Sequence, residues 1–320
     1  MFSFAKTIAL AFGVLAGATM AQPAFPSHPV KLVVGAPPGG VNDMITRIVA
    51  QKMELGQPVI VENKNGAASM IAAEYVIHAP ADGTTLLLVS QTVMTVAPII
   101  NKVTSFDPQK DLIPVAMIGS APLVLVAGPA LKADNVAELI AYAKAHPGDV
   151  DFGSGGIGTT PFMTASLFGV MTGTKLTSIP YPGEQAAMTE IMAGRLPFMF
   201  ANGSTAMQHV KSGRLRALAI SSKERVPFAE GIPTVSESGV PGFEAATWFG
   251  IMAPKETPPP VVARLNAEVR RVLRQPDVKA RFDQLGFTLY DYSPAQFGRF
   301  VQQEHMKYAK LIRDANIKAD

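Results

Sequence analysis

The sequence predicts an α/β fold of two domains, each a mainly parallel sheet flanked by helices, with a ligand cleft between them. Short apolar runs alternate with segments of helical periodicity along almost the whole chain, which is typical of parallel α/β sheets. Two glycine-rich turns, at residues 35–43 and 153–160, each follow a predicted strand and precede a predicted helix. The last quarter of the chain is helical, and its return to the first domain would make that domain discontinuous.

The individual elements follow from periodicity and from turn residues. Apolar, β-rich runs predict strands at residues 30–34, 59–62, 85–89, 115–118, 123–126, 150–152, 176–179 and 196–200. Apolar residues at helical spacing predict helices at 43–54, 67–78, 136–146, 161–171, 185–193, 257–273, 276–285 and 294–315. Prolines open the last three helices, because a first-turn N–H has no intrahelical acceptor and its loss costs nothing there. The predicted domains are 22–122 with 247–320, and 123–246, joined by crossing strands with a cleft between the two sheets.

The N-terminus has the pattern of a secretory signal peptide. Residues 1–21 carry one charge, Lys6, before an apolar run at 8–18, and small residues suit cleavage after Ala21 or Ala18. The alternative is an interfacial N-terminal anchor. No later apolar run is long enough to span a bilayer. We therefore expect an exported protein that is free in its compartment.

Composition narrows the possible partners and cofactors. There is no cysteine, which excludes disulfides and thiolate metal sites. Without Lys6, 27 basic residues (28 − 1) face 25 acidic ones, evenly spread and without a basic run, so nucleic acid is not an expected partner. No metal or cofactor is expected either, since no histidine pair or acidic cluster has ligand spacing.

The first glycine-rich turn predicts an anion site made of backbone. In Pro38, Gly39 and Gly40, the chain passes from an apolar strand into a helix, and the first amides of a helix lack acceptors and carry partial positive charge. A carboxylate or phosphate fits there. Asp43 in the next turn either caps the helix, contacts the ligand, or pairs with Arg47 at i, i+4.

A second loop repeats this arrangement about a hundred residues later. It contains Ser154, Gly156, Gly158, Thr159 and Thr160, and its hydroxyls are either ligand donors or helix N-caps. Two such loops facing each other would hold an anion between them. Three further polar residues follow a predicted strand of the first domain and should border the cleft: Ser90, Gln91 and Thr92.

Together with three later motifs, these loops resemble the tripartite tricarboxylate transporter substrate-binding receptors, also called Bug or TctC proteins. The later motifs lie at residues 180–183, 231–239 and 248–254, and the resemblance covers essentially the whole chain after residue 21. It implies a monomeric, periplasmic receptor of two hinged α/β domains that closes on a small carboxylate and passes it to membrane components. In this family the two glycine loops hold the ligand carboxylate mainly through backbone amides and water.

The resemblance also suggests which side chains meet the rest of the ligand. Tyr181, in a loop that ends at Gly183, could cover the ligand or be buried for packing alone. Phe162 stands where the family usually has a histidine, and Ala201 followed by Asn202 stands where many relatives carry an aspartate. These departures favour an apolar or aromatic ligand body over an amino acid, with a dicarboxylate or tricarboxylate as the main rival.

Three other functions fit parts of the sequence. Gly153, Gly155 and Gly158 satisfy the dinucleotide pattern G-x-G-x-x-G, but the acidic residue expected about 20 positions later is absent. Ser154 could be a hydrolase nucleophile, although no G-x-S-x-G surrounds it and each histidine reads as a capping or surface residue. A ligand sensor for a signalling system would use the same cleft as a transport receptor, and the sequence does not separate the two.

Overall fold

The computed structural model describes residues 25–101 and 105–318. The predicted signal peptide and its cleavage site lie outside the described residues. The strands are β1 Val30–Val34, β2 Val59–Asn63, β3 Thr85–Ser90, β4 Leu112–Ala127, β5 Val150–Ser154, β6 Leu176–Pro180, β7 Phe198–Asn202, β8 Arg216–Ile220, β9 Ala246–Pro254 and β10 Thr288–Leu289.

Helices follow most of these strands. They are α1 Val41–Ala50, α2 Met70–Ile77, α3 Ala97–Ile100, α4 Pro108–Asp111, α5 Val136–Ala145, α6 Thr160–Thr172, α7 Glu184–Met192, α8 Gly203–Lys211, α9 Pro259–Leu273, α10 Pro276–Gln284 and α11 Pro294–Asp314. A 3₁₀ turn at Ala67–Ser69 precedes α2, a π-helical turn at Thr92–Val96 precedes α3, and a second 3₁₀ turn lies at Pro227–Ala229. Within the described ranges, we find no helix whose length and apolar character would let it cross a membrane.

The strands form one curled sheet with two halves. Its order is β2-β1-β3-β9-β4-β7-β5-β6, with β8 and β10 also pairing with β4. The outer pairs β1–β2, β1–β3, β5–β6 and β5–β7 are parallel, whereas every pairing of β4 and β9 is antiparallel. The α/β class is confirmed, and the sheet is mixed because the chain crosses its centre on antiparallel strands.

Strand β4 connects the two halves. The sequence predicts two strands there, but the chain runs through residues 119–122 without a turn. Residues 112–122 pair with β9, while residues 123–127 pair with β7 and β8. The chain passes from one half to the other within β4 and returns at the start of β9, which is the crossing expected of a hinge. The division at residues 122/123 and 246/247 stays a prediction.

Each half buries apolar residues on both faces of its sheet. Alternate residues of β1 serve different faces: Leu32 packs beneath α1 and α9, and Val33 packs toward α2 and α11. Residues of β4 alternate in the same way in the second half, with Leu125 and Val126 in separate clusters. This alternation follows from the two-residue period of a strand, and it produces three layers, helix–sheet–helix.

Helix α11 packs on both halves. Its first part inserts Phe297 and Val301 into the core of the first half, beside Trp248. Its last part places Tyr308, Leu311 and Ile312 in the core of the second half. The buried apolar residues of α9 and α10 lie in the first half's core. The last helix therefore contributes buried residues to the cores of both halves.

Candidate functional site

A cavity of about 400 Å³ lies between the two halves at the carboxyl ends of the central parallel strands. Ligands of open α/β sheets bind at this edge, because the loops and helix starts that follow the strands converge there. The first half lines it with Gly35, Pro37, Val41, Asn42, Asn65, Gly66, Ala68, Ser69, Ser90, Thr92, Thr247 and Phe249, and the second with Ile157, Thr159, Thr160, Pro161 and Asn202.

The cavity wall carries hydroxyl and amide groups but no ionisable side chain among these residues. Six of them are serine or threonine and three are asparagine. Helix α1 adds backbone amides, because it begins at Val41 directly beside the cavity. These first-turn N–H groups have no intrahelical acceptor and attract negative charge. The arrangement suits a small anion that is held by neutral donors.

The two predicted loops do not contribute equally. In the first loop, Pro37, Val41 and Asn42 line the cavity, while the predicted Pro38, Gly39 and Gly40 lie beside it. In the second loop, Thr159 and Thr160 line it, but Pro161 follows as the second residue of α6. Proline has no N–H. Helix α6 therefore offers one fewer backbone donor than α1.

Asp43 organises the first loop from beneath. Its side chain is buried and accepts hydrogen bonds from the Gly39 N–H, from Arg47 Nε and from Asn63 Nδ2, each at 2.9 Å. The hydrogen bond from Arg47, with help from Gly39 and Asn63, lowers the pKa of this carboxyl from 3.8 to about 2. The predicted i, i+4 pair with Arg47 is present. All the contacts found for this side chain are with the first loop, α1 and β2.

Gln91 and Thr160 connect the halves beneath the cavity. Both are buried, and Thr160 Oγ1 donates to Gln91 Oε1 at 2.8 Å. Beside this pair, Thr92 Oγ1 donates to the Gly158 carbonyl at 3.5 Å. The φ of Gly158 is +81°, and an added Cβ would meet Val96 at 3.3 Å. Glycine at this position lets the second loop approach the π-helical turn closely.

Several predicted residues lie behind the cavity wall. Ser154 is fully buried at the end of β5, where its hydroxyl lies 3.3 Å from that of Ser178 and accepts from the Gly156 N–H at 3.3 Å. Phe162 packs in the second half's core, with its ring centroid 6.0 Å from that of Phe152. Neither residue lines the cavity.

Tyr181 and Gly183 also lie outside the cavity lining. The Tyr181 side chain is half-buried against the core cluster around Met188, and its backbone N–H donates to the Ser154 carbonyl at 2.9 Å. Gly183, with φ +101°, is the residue before α7. Direct ligand contact by these residues stays a prediction, as it does for the other predicted site residues.

A left-handed segment that the sequence did not predict forms one wall. Ala67, Ala68 and Ser69 have φ of 45°, 52° and 71°, directly after Gly66 at 129°. Such conformations are strained for residues with a Cβ and concentrate at functional sites. Ser69 Oγ donates to the Gly35 carbonyl at 2.9 Å. The only sequence signal here is the Asn65–Gly66 turn dipeptide, since alanines indicate helix.

Asn202 reaches the cavity from the end of β7. Its side chain is held from behind by Glu184, the first residue of α7, which accepts from the Asn202 backbone N–H at 3.1 Å and also from Asn202 Nδ2. Thr205 Oγ1 donates to the same carboxylate. Burial raises the pKa of Glu184. Sequence reasoning singled out Asn202 but not its carboxylate partner, because the two lie 18 positions apart.

An apolar strip completes the cavity. It consists of Phe249 and Ile157, which face it from opposite halves, together with Pro161. Phe249 is anchored by Phe287, whose ring centroid is 5.8 Å away. The cavity therefore combines polar donors with a small apolar surface, as small-molecule sites generally do. A two-lobed α/β fold with such a cavity between its halves defines the class of periplasmic binding proteins.

The chain belongs to the TctC family, described as tripartite tricarboxylate transporter family receptors, whose family model matches residues 45–317. It is 35% identical over 297 residues to protein BugT of Bordetella pertussis, covering 92% of this chain and 91% of that protein. It is also 34% identical over 316 residues to a protein encoded in the tcbD-tcbE intergenic region of a Pseudomonas strain, covering 97% and 94%.

Solved structures of the same kind share the whole fold. An R. palustris protein with adipate superposes with a TM-score of 0.81 at 31% identity, covering 92% of this chain and 99% of that chain. MatC from Rhodopseudomonas palustris with bound malate gives 0.79 at 30%, covering 90% and 100%. The periplasmic binding protein BugD gives 0.79 at 30%, covering 92% and 100%. Receptors of this family therefore include proteins that hold small carboxylates.

Proposed function

We propose that this protein is a periplasmic receptor that captures a small carboxylate in the cavity between its two halves. The observation that carries the proposal is the donor-rich, uncharged lining at the start of α1. Helix N-termini and hydroxyls bind anions without a cationic side chain. Adipate and malate in the similar structures support a carboxylate as the anion.

The receptor then delivers its ligand to the membrane components of a tripartite tricarboxylate-type transporter. Ligand contacts made by both halves favour the closed arrangement, since a ligand shifts an equilibrium by its differential affinity for the two states. A membrane partner that recognises the closed form would thereby read occupancy. In this proposal the protein acts as a monomer, binds no nucleic acid and does not convert its ligand chemically. Export through residues 1–21 places it in the periplasm.

Thermal unfolding of purified, ligand-stripped protein tests the binding step. The panel contains monocarboxylates, dicarboxylates, tricarboxylates and aromatic acids, with sugars and NAD as controls. A ligand that binds only the folded state adds about 2.7 kcal/mol at a hundred times its dissociation constant. We expect the midpoint to rise with a subset of carboxylates. A response to a sugar or NAD and to no carboxylate would contradict the proposal.

The delivery step needs a separate experiment. We expect membrane components of the transporter to be retained on immobilised, ligand-saturated receptor and to be lost when ligand is removed. Deleting the receptor gene should also abolish uptake of the identified carboxylate. Retention of a signalling protein instead, with normal uptake in the deletion strain, would show a sensing role for the same cleft.

A further inference from the structure

The side chain of Glu184 is partly buried, and among the described residues its carboxylate accepts hydrogen bonds only from neutral donors. The Asn202 N–H, the Asn202 amide and the Thr205 hydroxyl all donate to it. No lysine, arginine or histidine of the described chain forms an ion pair with it. Burial raises the pKa of this carboxyl, so keeping its charge here costs free energy that the three hydrogen bonds offset.

These bonds determine how the Asn202 amide is oriented. A carboxylate accepts hydrogen bonds, so the amide must turn its Nδ2 group toward Glu184. Its Oδ1 atom then has no hydrogen-bond partner among the described residues, and Asn202 is one of the residues that line the cavity. The amide is therefore held as an acceptor, and the reversed orientation would place two oxygen acceptors in contact.

We propose that Glu184 is a specificity-determining residue that makes Asn202 an acceptor for a ligand hydroxyl. This inference rests on the proposed function, and it names the ligand class as carboxylates that carry a neutral hydroxyl away from the carboxylate. A second ligand carboxylate at Asn202 would face the lone pairs of Oδ1 and would find no cationic side chain among the residues that line the cavity. The site should therefore disfavour dicarboxylates.

An ammonium group is a weaker candidate for the same position. It could donate to Oδ1, but the cavity wall has no acidic side chain to neutralise it. Three donors already engage the Glu184 carboxylate, so little acceptor capacity is left there. A hydroxyl requires one acceptor and no neutralising charge, which is what this wall provides.

Isothermal titration with matched ligands tests the inference. The first set contains four-carbon acids: butyrate, 4-hydroxybutyrate, 4-aminobutyrate and succinate. The second set contains the corresponding six-carbon acids: hexanoate, 6-hydroxyhexanoate, 6-aminohexanoate and adipate. We expect the hydroxy acid to bind about tenfold more tightly than the dicarboxylate in at least one set, since one orphaned polar contact costs about 1.4 kcal/mol or more. The hydroxy acid should also bind more tightly than the plain acid and the aminated acid of the same set.

Two variants probe the proposed cause. In Glu184→Gln, the new amide can donate a hydrogen bond to Asn202 Oδ1, so Asn202 can turn its Nδ2 group toward the cavity. The preference for the hydroxy acid over the dicarboxylate should then fall to about threefold or less. In Asn202→Ser the acceptor amide is removed altogether, with the same expected loss. Glu190→Gln is the matched control, because Glu190 lies on the same helix but pairs with Arg195 at the surface. It should keep the full preference.

The outcomes separate this inference from the proposed function. If no carboxylate binds wild-type protein, the proposed function is wrong and the inference fails with it. If carboxylates bind but the plain acid, the dicarboxylate or the aminated acid binds most tightly in both sets, only the inference is overturned. It is also overturned if folded Glu184→Gln and Asn202→Ser both keep the wild-type preference. Should Glu184→Gln not fold, Asn202→Ser decides alone.

Discussion

The Thr160 hydroxyl donates to Gln91 Oε1 at 2.8 Å, and this buried hydrogen bond joins the two halves of the sheet beneath the cavity. Gln91 Nε2 is also buried and has no partner among the described residues. The hydrogen bond from Thr160 is therefore the one hydrogen bond found, in the described part of the chain, for the buried side chain of Gln91. Loss of this partner should destabilise the fold, because a buried acceptor without a donor loses the hydration that it had in the unfolded chain.

Replacement of Thr160 by valine should lower the free energy of unfolding by about 1–3 kcal/mol. The valine preserves the shape but leaves Gln91 Oε1 without a donor. Urea denaturation measures the loss. Thr164→Val is the control, because Thr164 Oγ1 donates to a helix carbonyl that keeps its backbone donor. An equal loss of unfolding free energy in both variants would show that the hydrogen bond between the halves contributes no more to stability than the control hydroxyl.

Substitution of Gly35 by alanine should damage the cavity wall. A Cβ there would lie 2.3 Å from Ser69 Cβ and 2.7 Å from Ser69 Cα, so the left-handed segment must move. We expect at least about a tenfold loss of affinity for the carboxylate that gives the largest thermal shift. In Gly40→Ala the nearest atom is 3.7 Å away and φ is −76°. That variant should stay within about threefold of wild type, and similar losses in both would argue against a role for the segment.

Asp43→Asn should reduce stability by about 1–2 kcal/mol at neutral pH. The pKa of Asp43 falls from 3.8 to about 2 on folding, so its contribution is present above pH 4 and is lost as the pH falls toward 2. The difference between wild type and variant should therefore shrink over that interval. Because the side chain of Arg47 is 44% exposed, the lower end of the range is expected in salt.

Chemical unfolding of wild type and Asp43→Asn between about pH 2 and 7 tests this prediction by measuring the difference in their free energies of unfolding. Asp283→Asn provides the control, since Asp283 forms an exposed i, i+4 pair with Lys279. Exposed pairs of this kind contribute about 0.5 kcal/mol or less. A difference for Asp43→Asn that does not vary with pH would mean that the charge of Asp43 is not what stabilises the loop.

Tyr308→Phe should raise the free energy of unfolding by up to about 1 kcal/mol. Tyr308 is fully buried on α11, and its hydroxyl has no partner among the described residues. Burial, and the nearby Glu304 and Glu244 carboxylates, raise the pKa of this hydroxyl. Tyr290→Phe should act in the opposite direction, because the Tyr290 hydroxyl lies 3.1 Å from Ser120 Oγ. Differential scanning calorimetry compares them, and destabilisation by Tyr308→Phe would imply an unseen partner.

Element type was predictable where the local pattern is strong. The predicted strand at residues 30–34 matches β1, and the prolines at 276 and 294 begin α10 and α11 as expected. The single strand β4 was predicted as two, because the apolar runs at residues 115–118 and 123–126 are separate in the sequence. Antiparallel pairing with β9 carries the chain through the residues between them, with register shifts nearby. Strands β8 and β9 were not predicted at all.

The sequence predicted several of the residues that line the cavity, but not all of them. Thr159, Thr160, Ser90, Thr92 and Asn202 were predicted at the cleft and line it. The left-handed segment and Thr247 also line it but were not predicted. Alanine does not signal a positive φ, and Thr247 reaches the cavity only because β9 lies between β3 and β4. Neither fact can be read from local sequence.

The sequence by itself determined the alternation of strands and helices, the glycine turns that begin α1 and α6, and the family to which the chain belongs. These depend on local backbone preferences, which a few neighbouring residues specify. The tertiary structure decided that Asp43 faces inward, that Phe162 joins the core, and that Glu184 lies behind Asn202. Those outcomes depend on which distant segments meet, and hence on the packing of the whole chain.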